Sequence, residues 1–318
     1  MDILVSINCI TYNHEEYIAE ALDSFLMQKT NFKYEILIHD DASTDRTQQI
    51  IEEYKKKYPD IIKPILQKDN QQSKGVKKIS YRFNNTRAKG KYIAICEGDD
   101  YWTDPYKLQK QIDYLEGNPE CTMCFHAAEI INSNKKVKTT MRPYNNNKIC
   151  SIEDIIIGGG GFCPTQAIIY RKYCMDNPPE LYFKAPVGDY PLQMIVSSQG
   201  YAYYINEVMS VYRKVMSNGS SWSNSNKSVE KNKKLYKELN YMLDEFDKYS
   251  NQKYNFAVNR AKLINNFYAL VLDQKIKEIR KNEYQAYFSS LNVTEKFKIY
   301  FRCFLPNLYV KLTEFKYK

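Results

Sequence analysis

The sequence predicts an α/β protein, with a mostly parallel central sheet, helices between its strands and a helical C-terminal region. Three short apolar runs carry that expectation, at residues 3–7, 35–39 and 92–96, each ending in a polar cluster as a buried parallel strand does. Amphipathic segments fill the intervals, and strand, helix, strand, helix, strand is the α/β pattern. At 318 residues the chain has room for one large domain and an appendage.

Asn13, followed three residues later by Glu16, predicts a capping box that opens the first helix, which runs to about Gln28. Thr44 or Asp45 opens a second helix, to about Tyr58. Asp104-Pro105 starts a third, with Leu108, Ile112 and Leu115 on one face before Gly117. Apolar runs at 122–126, 166–170 and 201–212 extend the sheet, with a helix between about Tyr190 and Ser198. From Ser217 to Ser228 the composition turns to Ser, Asn and Gly around Trp222, which reads as a flexible loop. The expected domains are therefore 1–216, a loop at 217–228, and a basic helical region at 229–318. Leu235, Leu239, Met242, Phe246 and Tyr249 recur at helical spacing there, a stripe expected to pack on the first domain.

No run of about 18 uncharged apolar residues and no secretory leader pattern is present, so a cytoplasmic protein is expected. Eight scattered cysteines suit buried thiols in a reducing compartment, and Cys121 and Cys124 lack the second pair that a zinc site needs. The net charge of +9 is unevenly placed: residues 1–228 hold 28 Lys and Arg against 27 Asp and Glu, residues 229–318 hold 18 against 10. A basic excess confined to the tail argues against a nucleic-acid partner for the first domain. In the last segment, aromatic residues such as Phe297, Phe301 and Phe304 alternate with Lys296, Lys298 and Arg302. That pattern leaves two readings open, a peripheral contact with the inner face of a membrane or helices docked on the protein.

Ligands of open α/β sheets bind beyond the carboxyl ends of the strands. Thr11, Tyr12 and Asn13 follow the first run, Asp40 and Asp41 the second, and Glu97-Gly98-Asp99-Asp100 the third. A Tyr stacks a flat base and an Asp accepts from a base N–H, so the first two sites suit a pyrimidine. Helix capping is the alternative for Asp40 and Asp41. Adjacent carboxylates on a turn repel unless a divalent cation compensates them, which makes Asp99 and Asp100 candidates for Mn²⁺ or Mg²⁺. Gly158 to Gly161 lacks the Gly-Lys-Ser/Thr of a phosphate loop and suits an acceptor-side loop.

The stretch from Val5 to about Lys107 resembles the catalytic core of the inverting family 2 glycosyltransferases, of GT-A fold. The carrying residues are Ser6 to Asn13 (SINCITYN), Ile38 to Asp45 (IHDDASTD) and Glu97 to Pro105 (EGDDYWTDP). The resemblance implies a GT-A nucleotide-binding sandwich, a nucleotide-sugar donor, UDP-linked by expectation, and a glycan or lipid-linked acceptor in bacterial surface polysaccharide synthesis. It implies that Tyr12 stacks on the base, Asp41 bonds its N–H, and Asp99-Asp100 stand in for the metal-binding D-x-D motif. Glu97 replaces the commoner first Asp, so Glu97, Asp99 and Asp100 all remain metal candidates. Asp189, in Gly-Asp-Tyr-Pro-Leu, matches the family's general base, with capping of the following helix a compatible reading. Arg213 is implied to meet the diphosphate, and Asn84 and Arg87 to line the donor site. Where relatives carry a histidine shortly after that Arg, this chain has Met216. A catalytically degenerate glycan-binding or scaffold protein and a sugar nucleotidyltransferase are the alternatives.

Overall fold

The computed structural model describes residues 2–132, 136–214, 228–305 and 308. Ten strands form one sheet: β1 (Ile3–Thr11), β2 (Lys33–Asp40), β3 (Ile62–Leu66), β4 (Tyr92–Ile95), β5 (Tyr101–Trp102), β6 (Cys121–Ile131), β7 (Val137–Met141), β8 (Lys148–Cys150), β9 (Ile169–Arg171) and β10 (Tyr201–Arg213). The order is β3-β2-β1-β4-β9-β6-β10-β5, with β7 on β6 and β8 on β10. The helices that position the site are α1 (Ile18–Leu26), α2 (Thr47–Lys57), α3 (Lys107–Gly117), α4 (Ile152–Gly158), α5 (Glu180–Lys184) and α6 (Asp189–Ser198). Four more follow: α7 (Val229–Tyr249), α8 (Asn255–Leu272), α9 (Asn282–Ser290) and α10 (Val293–Phe304).

The sheet is built on long parallel pairings, as expected, and is mixed overall because short antiparallel strands join them. β3-β2-β1-β4 run parallel, as do β6 and β10. β9 enters between β4 and β6 antiparallel to both, and β5, β7 and β8 pair antiparallel at the far side. A run buried on both faces has the same composition whichever way its neighbour points, so direction was not encoded in the run itself.

Period-two alternation distributes the strands between two apolar layers. Tyr92 and Ala94 join Val5, Ile7, Ile36 and Ile38 under α1 and α3, whereas Ile93 joins Phe125, Tyr170 and Tyr204 under α4 and α6. The expected stripe on α7 is realised: Met242, Leu243 and Phe246 enter the second layer with Leu239 beside it, while Tyr249 stays exposed. The later helices build a small core of their own around Phe267, Val271, Ile299 and Cys303. All eight cysteines are buried and free. The expected loop at 217–228 lies outside the described residues except for Ser228, whose side chain accepts from Lys231 N at the start of α7.

Among the described residues no helix is long and apolar enough to cross a membrane.

Candidate active site

Three neighbouring parallel strands end together, and backbone hydrogen bonds join the loops that leave them. Asn8, Ile10 and Thr11 carbonyls accept from Cys96, Gly98 and Asp41 N–H groups at 3.2, 2.9 and 3.0 Å. Gly98 makes that approach possible: a Cβ there would meet Thr11 Cβ and Oγ1 at 2.9 Å and Ile18 Cδ1 at 3.0 Å. Gly98→Ala is therefore expected to cost about 1–3 kcal/mol by overpacking. A urea melt of the variant showing a wild-type midpoint would refute this reading of the turn.

The loop after β1 departs from the expected capping box. α1 begins at Ile18, and Asn13 stands apart from it at φ 54°. Its Oδ1 accepts from Thr44 N at 2.8 Å while its own N–H donates to Ser43 Oγ at 2.8 Å. Asn tolerates the left-handed region, so its carboxamide bridges two loops instead of capping a helix. His14 N–H continues the seam to Thr47 Oγ1 at 2.8 Å. Tyr12 is left 37% exposed at the mouth, its ring available to a flat ligand.

Asp40 is fully buried, and its carboxylate accepts from Ser43 N, Ser43 Oγ and Gln48 Nε2. These bonds brace its own loop and hold Gln48 of α2; they do not cap that helix, which starts at Thr47. Asp41 accepts from Gln71 N at 2.7 Å and Gln72 N at 3.0 Å, which folds the 70–72 segment over the end of β2. Each oxygen keeps a second lone pair for a ligand. Asn84 and Arg87 are engaged by the sheet itself. Asn84 is buried and donates to Asn8 Oδ1 and the Cys9 and Leu37 carbonyls, and Arg87 donates to the Ile38 and Lys63 carbonyls. They tie β1, β2 and β3 together because buried carbonyls on this side require donors.

The acidic turn closes against the end of β10. Arg213 N–H donates to Asp100 Oδ1 at 2.8 Å, and its guanidinium donates to the Asp99 carbonyl and the Glu20 carboxylate. The guanidinium also lies over Tyr17 and Tyr101, at 5.0 and 4.6 Å from the ring centroids. Arg213 thus clasps the turn, and the diphosphate contact implied for it has to share a guanidinium that is already engaged. Asp99 Oδ1 is buried and, among the described residues, has no hydrogen-bond partner. Burial, then the charges of Asp99 and Asp189, push the Glu97 carboxyl up to about 8. Burial and Asp99 likewise raise Asp100 well above the carboxylate range.

Asp189 begins α6, its Oδ1 accepting from Tyr190 N at 2.7 Å. Burial raises its carboxyl, opposed by the Tyr190 bond and by Lys78. Gly160 packs on it closely enough that a Cβ there would stand 3.4 Å from both carboxylate oxygens. Lys78 donates to the carbonyls of Ala185, at 3.1 Å, and Val187, and so fixes the segment that leads to Asp189.

A family model described as Glycosyl transferase family 2 matches residues 6–176, more than half of the chain, and takes in the ends of β1, β2 and β4 but not Asp189 or Arg213. The chain belongs to glycosyl transferase family 2. It is 39% identical over 211 residues to an uncharacterized protein of Mycobacterium tuberculosis, covering 66% of this chain and 58% of that one. It is 26% identical over 239 residues to TuaG of Bacillus subtilis, named for teichuronic acid biosynthesis, covering 74% of this chain and 88% of that one. Among solved structures, S. aureus TarS residues 1–349 with UDP-GlcNAc superposes with a TM-score of 0.60 at 15% identity, over 95% of this chain and 79% of that one. The superposition shows the GT-A fold, a mixed α/β sheet with helices appended. The chain spans little more than half of the mycobacterial relative's length.

Two residues near the acidic turn and Asp189 escaped the sequence reading. His14 is 8% exposed with Nδ1 buried and, among the described residues, unpartnered. Burial lowers its pKa, against the pull of Asp99, Asp45 and Asp40. Lys78 lies in a segment with no distinguishing pattern. Among the described residues no three His, Cys, Asp or Glu side chains gather as a ready-made metal site. The orphaned Asp99 Oδ1 beside Asp100 nevertheless suits a hard cation that takes its remaining ligands from phosphate and water.

Proposed function

We propose that this glycosyltransferase moves a sugar from a nucleotide diphosphate donor, UDP-linked, to a hydroxyl of a glycan or lipid-linked oligosaccharide, with inversion, in surface polysaccharide synthesis. One observation carries the reading: the charges of Asp99 and Asp189 both act on the Glu97 carboxyl, so the acidic turn and the carboxylate opening α6 belong to one electrostatic neighbourhood. Tyr12 and Asp41 hold the base at the ends of β1 and β2. Asp99 and Asp100 would hold Mn²⁺ or Mg²⁺, which when bound neutralises charge developing on the leaving diphosphate.

Asp189 accepts the proton of the acceptor hydroxyl as its oxygen bonds to the anomeric carbon. The bond from that carbon to the nucleotide diphosphate breaks on the opposite face, inverting the configuration. A groove of about 310 Å³, lined by Arg142, Gly158, Gly161 and Phe162 among others, flanks Gly160 and supports placing the acceptor on this side. The lipid-linked class of acceptor places the enzyme at the inner face of a membrane.

Melting of the purified protein against nucleotides and nucleotide sugars, each with and without Mn²⁺, tests the donor site, because ligands of the folded state raise the melting temperature. A Mn²⁺-dependent rise with one nucleoside diphosphate supports the proposal and names the base. No rise with any nucleotide would put a degenerate scaffold in its place.

The base reading also predicts a pH dependence. Lys78, Glu97, Tyr182 and Cys163 are the titratable groups that face Asp189, and Lys78 is the cation that holds its carboxyl down. A base must be ionised, so kcat/KM falls as pH drops through the raised Asp189 value. Lys78→Met is expected to move that acidic limb to higher pH, and Lys78→Arg to move it part of the way back. An unmoved limb in Lys78→Met removes Asp189 as the titrating base.

A further inference from the structure

We propose that the outward aromatic face of α10 seats this protein on an anionic lipid surface. At about 100° per residue, Val293, Phe297, Tyr300, Phe301 and Phe304 fall within an arc of roughly 100°. The face that packs on the protein points elsewhere: Ile299 and Cys303, roughly 130° away, contact the small core around Phe267 and Val271. The helix therefore has two apolar faces: the fold buries one and meets the edge of the other at Tyr300, whose ring lies 5.8 Å from that of Phe288. Much of the second face is exposed, with Val293 84%, Phe297 66% and Phe304 66% exposed and Leu305 and Leu308 continuing the patch at 50% and 46%. Phe297 stacks on Phe301 and Tyr300 on Phe304, at centroid distances of 5.9 and 6.3 Å, which pre-arranges a broad aromatic surface.

Charge selects the occupant. Lys298 and Arg302 border the aromatic arc on one side and Lys296 on the other, with Lys298 exposed. Glu295, the helix's acid, is held at the N-terminus by the Asn292 capping box. A second copy would set an identical basic rim against this one. The chain's own residues 309–318 bring Lys311, Lys316 and Lys318 against Glu314, again net positive. An anionic lipid surface covers the aromatic face and neutralises the rim together, as interfacial helices do when rings enter the headgroup layer and basic side chains meet phosphates. Because no described helix is long and apolar enough to cross a bilayer, this is a contact that lies on the surface.

The test is flotation of the full chain, without substrates, on phosphatidylcholine vesicles with or without phosphatidylglycerol. The lipid-linked acceptor proposed above gives the contact a purpose, but its measurement is independent of any donor. Wild type is expected to float with the phosphatidylglycerol vesicles and to be released by salt. Phe297→Ser combined with Phe304→Ser, or Lys298→Glu, is expected to reduce binding at least about tenfold. These exposed substitutions should leave the melting temperature, and any nucleotide-induced rise in it, unchanged, which separates this result from the fate of the donor site. Failure of wild type to float, or equal flotation of Phe297→Ser/Phe304→Ser, overturns the proposal. Sedimentation of wild type as a dimer that the double variant converts to a monomer would also overturn it, by identifying a second copy as the occupant.

Discussion

Asp189→Asn is expected to lower kcat by about 10²–10⁴-fold, the usual range for removing a positioned general base. The amide oxygen can still accept from Tyr190 N–H, now 2.7 Å from Asp189 Oδ1, so the start of α6 should keep its conformation. What the amide cannot do is take the acceptor's proton. Removing the charge also relieves Glu97, which Asp189 pushes upward, so the variant should melt no lower than wild type. The donor side is left intact, and the nucleotide-induced rise in melting temperature should persist. Sugar transfer and donor affinity measured on the same preparation decide the matter. Unchanged transfer would reduce Asp189 to a helix-start residue, whereas joint loss of transfer and donor binding would mean that the substitution had disturbed the fold.

The strands that carry the site were legible because buried parallel strands are short apolar runs; β1 and β2 contain the runs that were read, and β4 covers its own but for Cys96. The stripe on α7 was legible for a similar reason, since periodicity reports a buried face without needing to know its partner. Direction was not legible: β9 is three residues long, Ile169 to Arg171, and nothing in so short a segment says whether it runs with or against its neighbours. Roles that depend on which loop lies opposite were not legible either. Asn13 followed by Glu16 satisfies a local pattern, yet Thr44 N–H, thirty-one residues away, is what its side chain meets. Asn84 and Arg87 have the chemistry of ligand-binding residues, but the unpaired carbonyls nearest to them belong to the sheet. Lys78 gains its meaning from two carbonyls more than a hundred residues downstream, a relation that no local spacing encodes.

Asp99 is expected to be the other residue whose loss is most costly. Asp99→Ala should abolish the Mn²⁺-dependent melting rise with nucleotide and lower kcat/KM by on the order of 10³-fold, since metal neutralisation of a leaving diphosphate is worth several kcal/mol. Asp100 is bonded to Arg213 N–H at 2.8 Å, so removing it also loosens the clasp at the end of β10, whereas Asp99 Oδ1 is buried with no described partner. Asp99 is thus the cleaner probe of metal binding, and the metal-free protein offers a second reading of the same site. Glu97 titrates at about 8 when folded against an ordinary 4.5, so the stability linked to its proton is fully present below about 4.5 and lost as pH rises through about 8. The metal-free protein should therefore lose melting temperature across that window. Mn²⁺, which binds the ionised carboxylates, should restore it at the alkaline end. In Asp99→Ala a major charge opposing ionisation of Glu97 is gone, so the alkaline loss should shrink and Mn²⁺ should no longer act on it. A wild-type melting temperature that is flat between pH 6 and 9, with or without Mn²⁺, would mean that these carboxylates do not share one site.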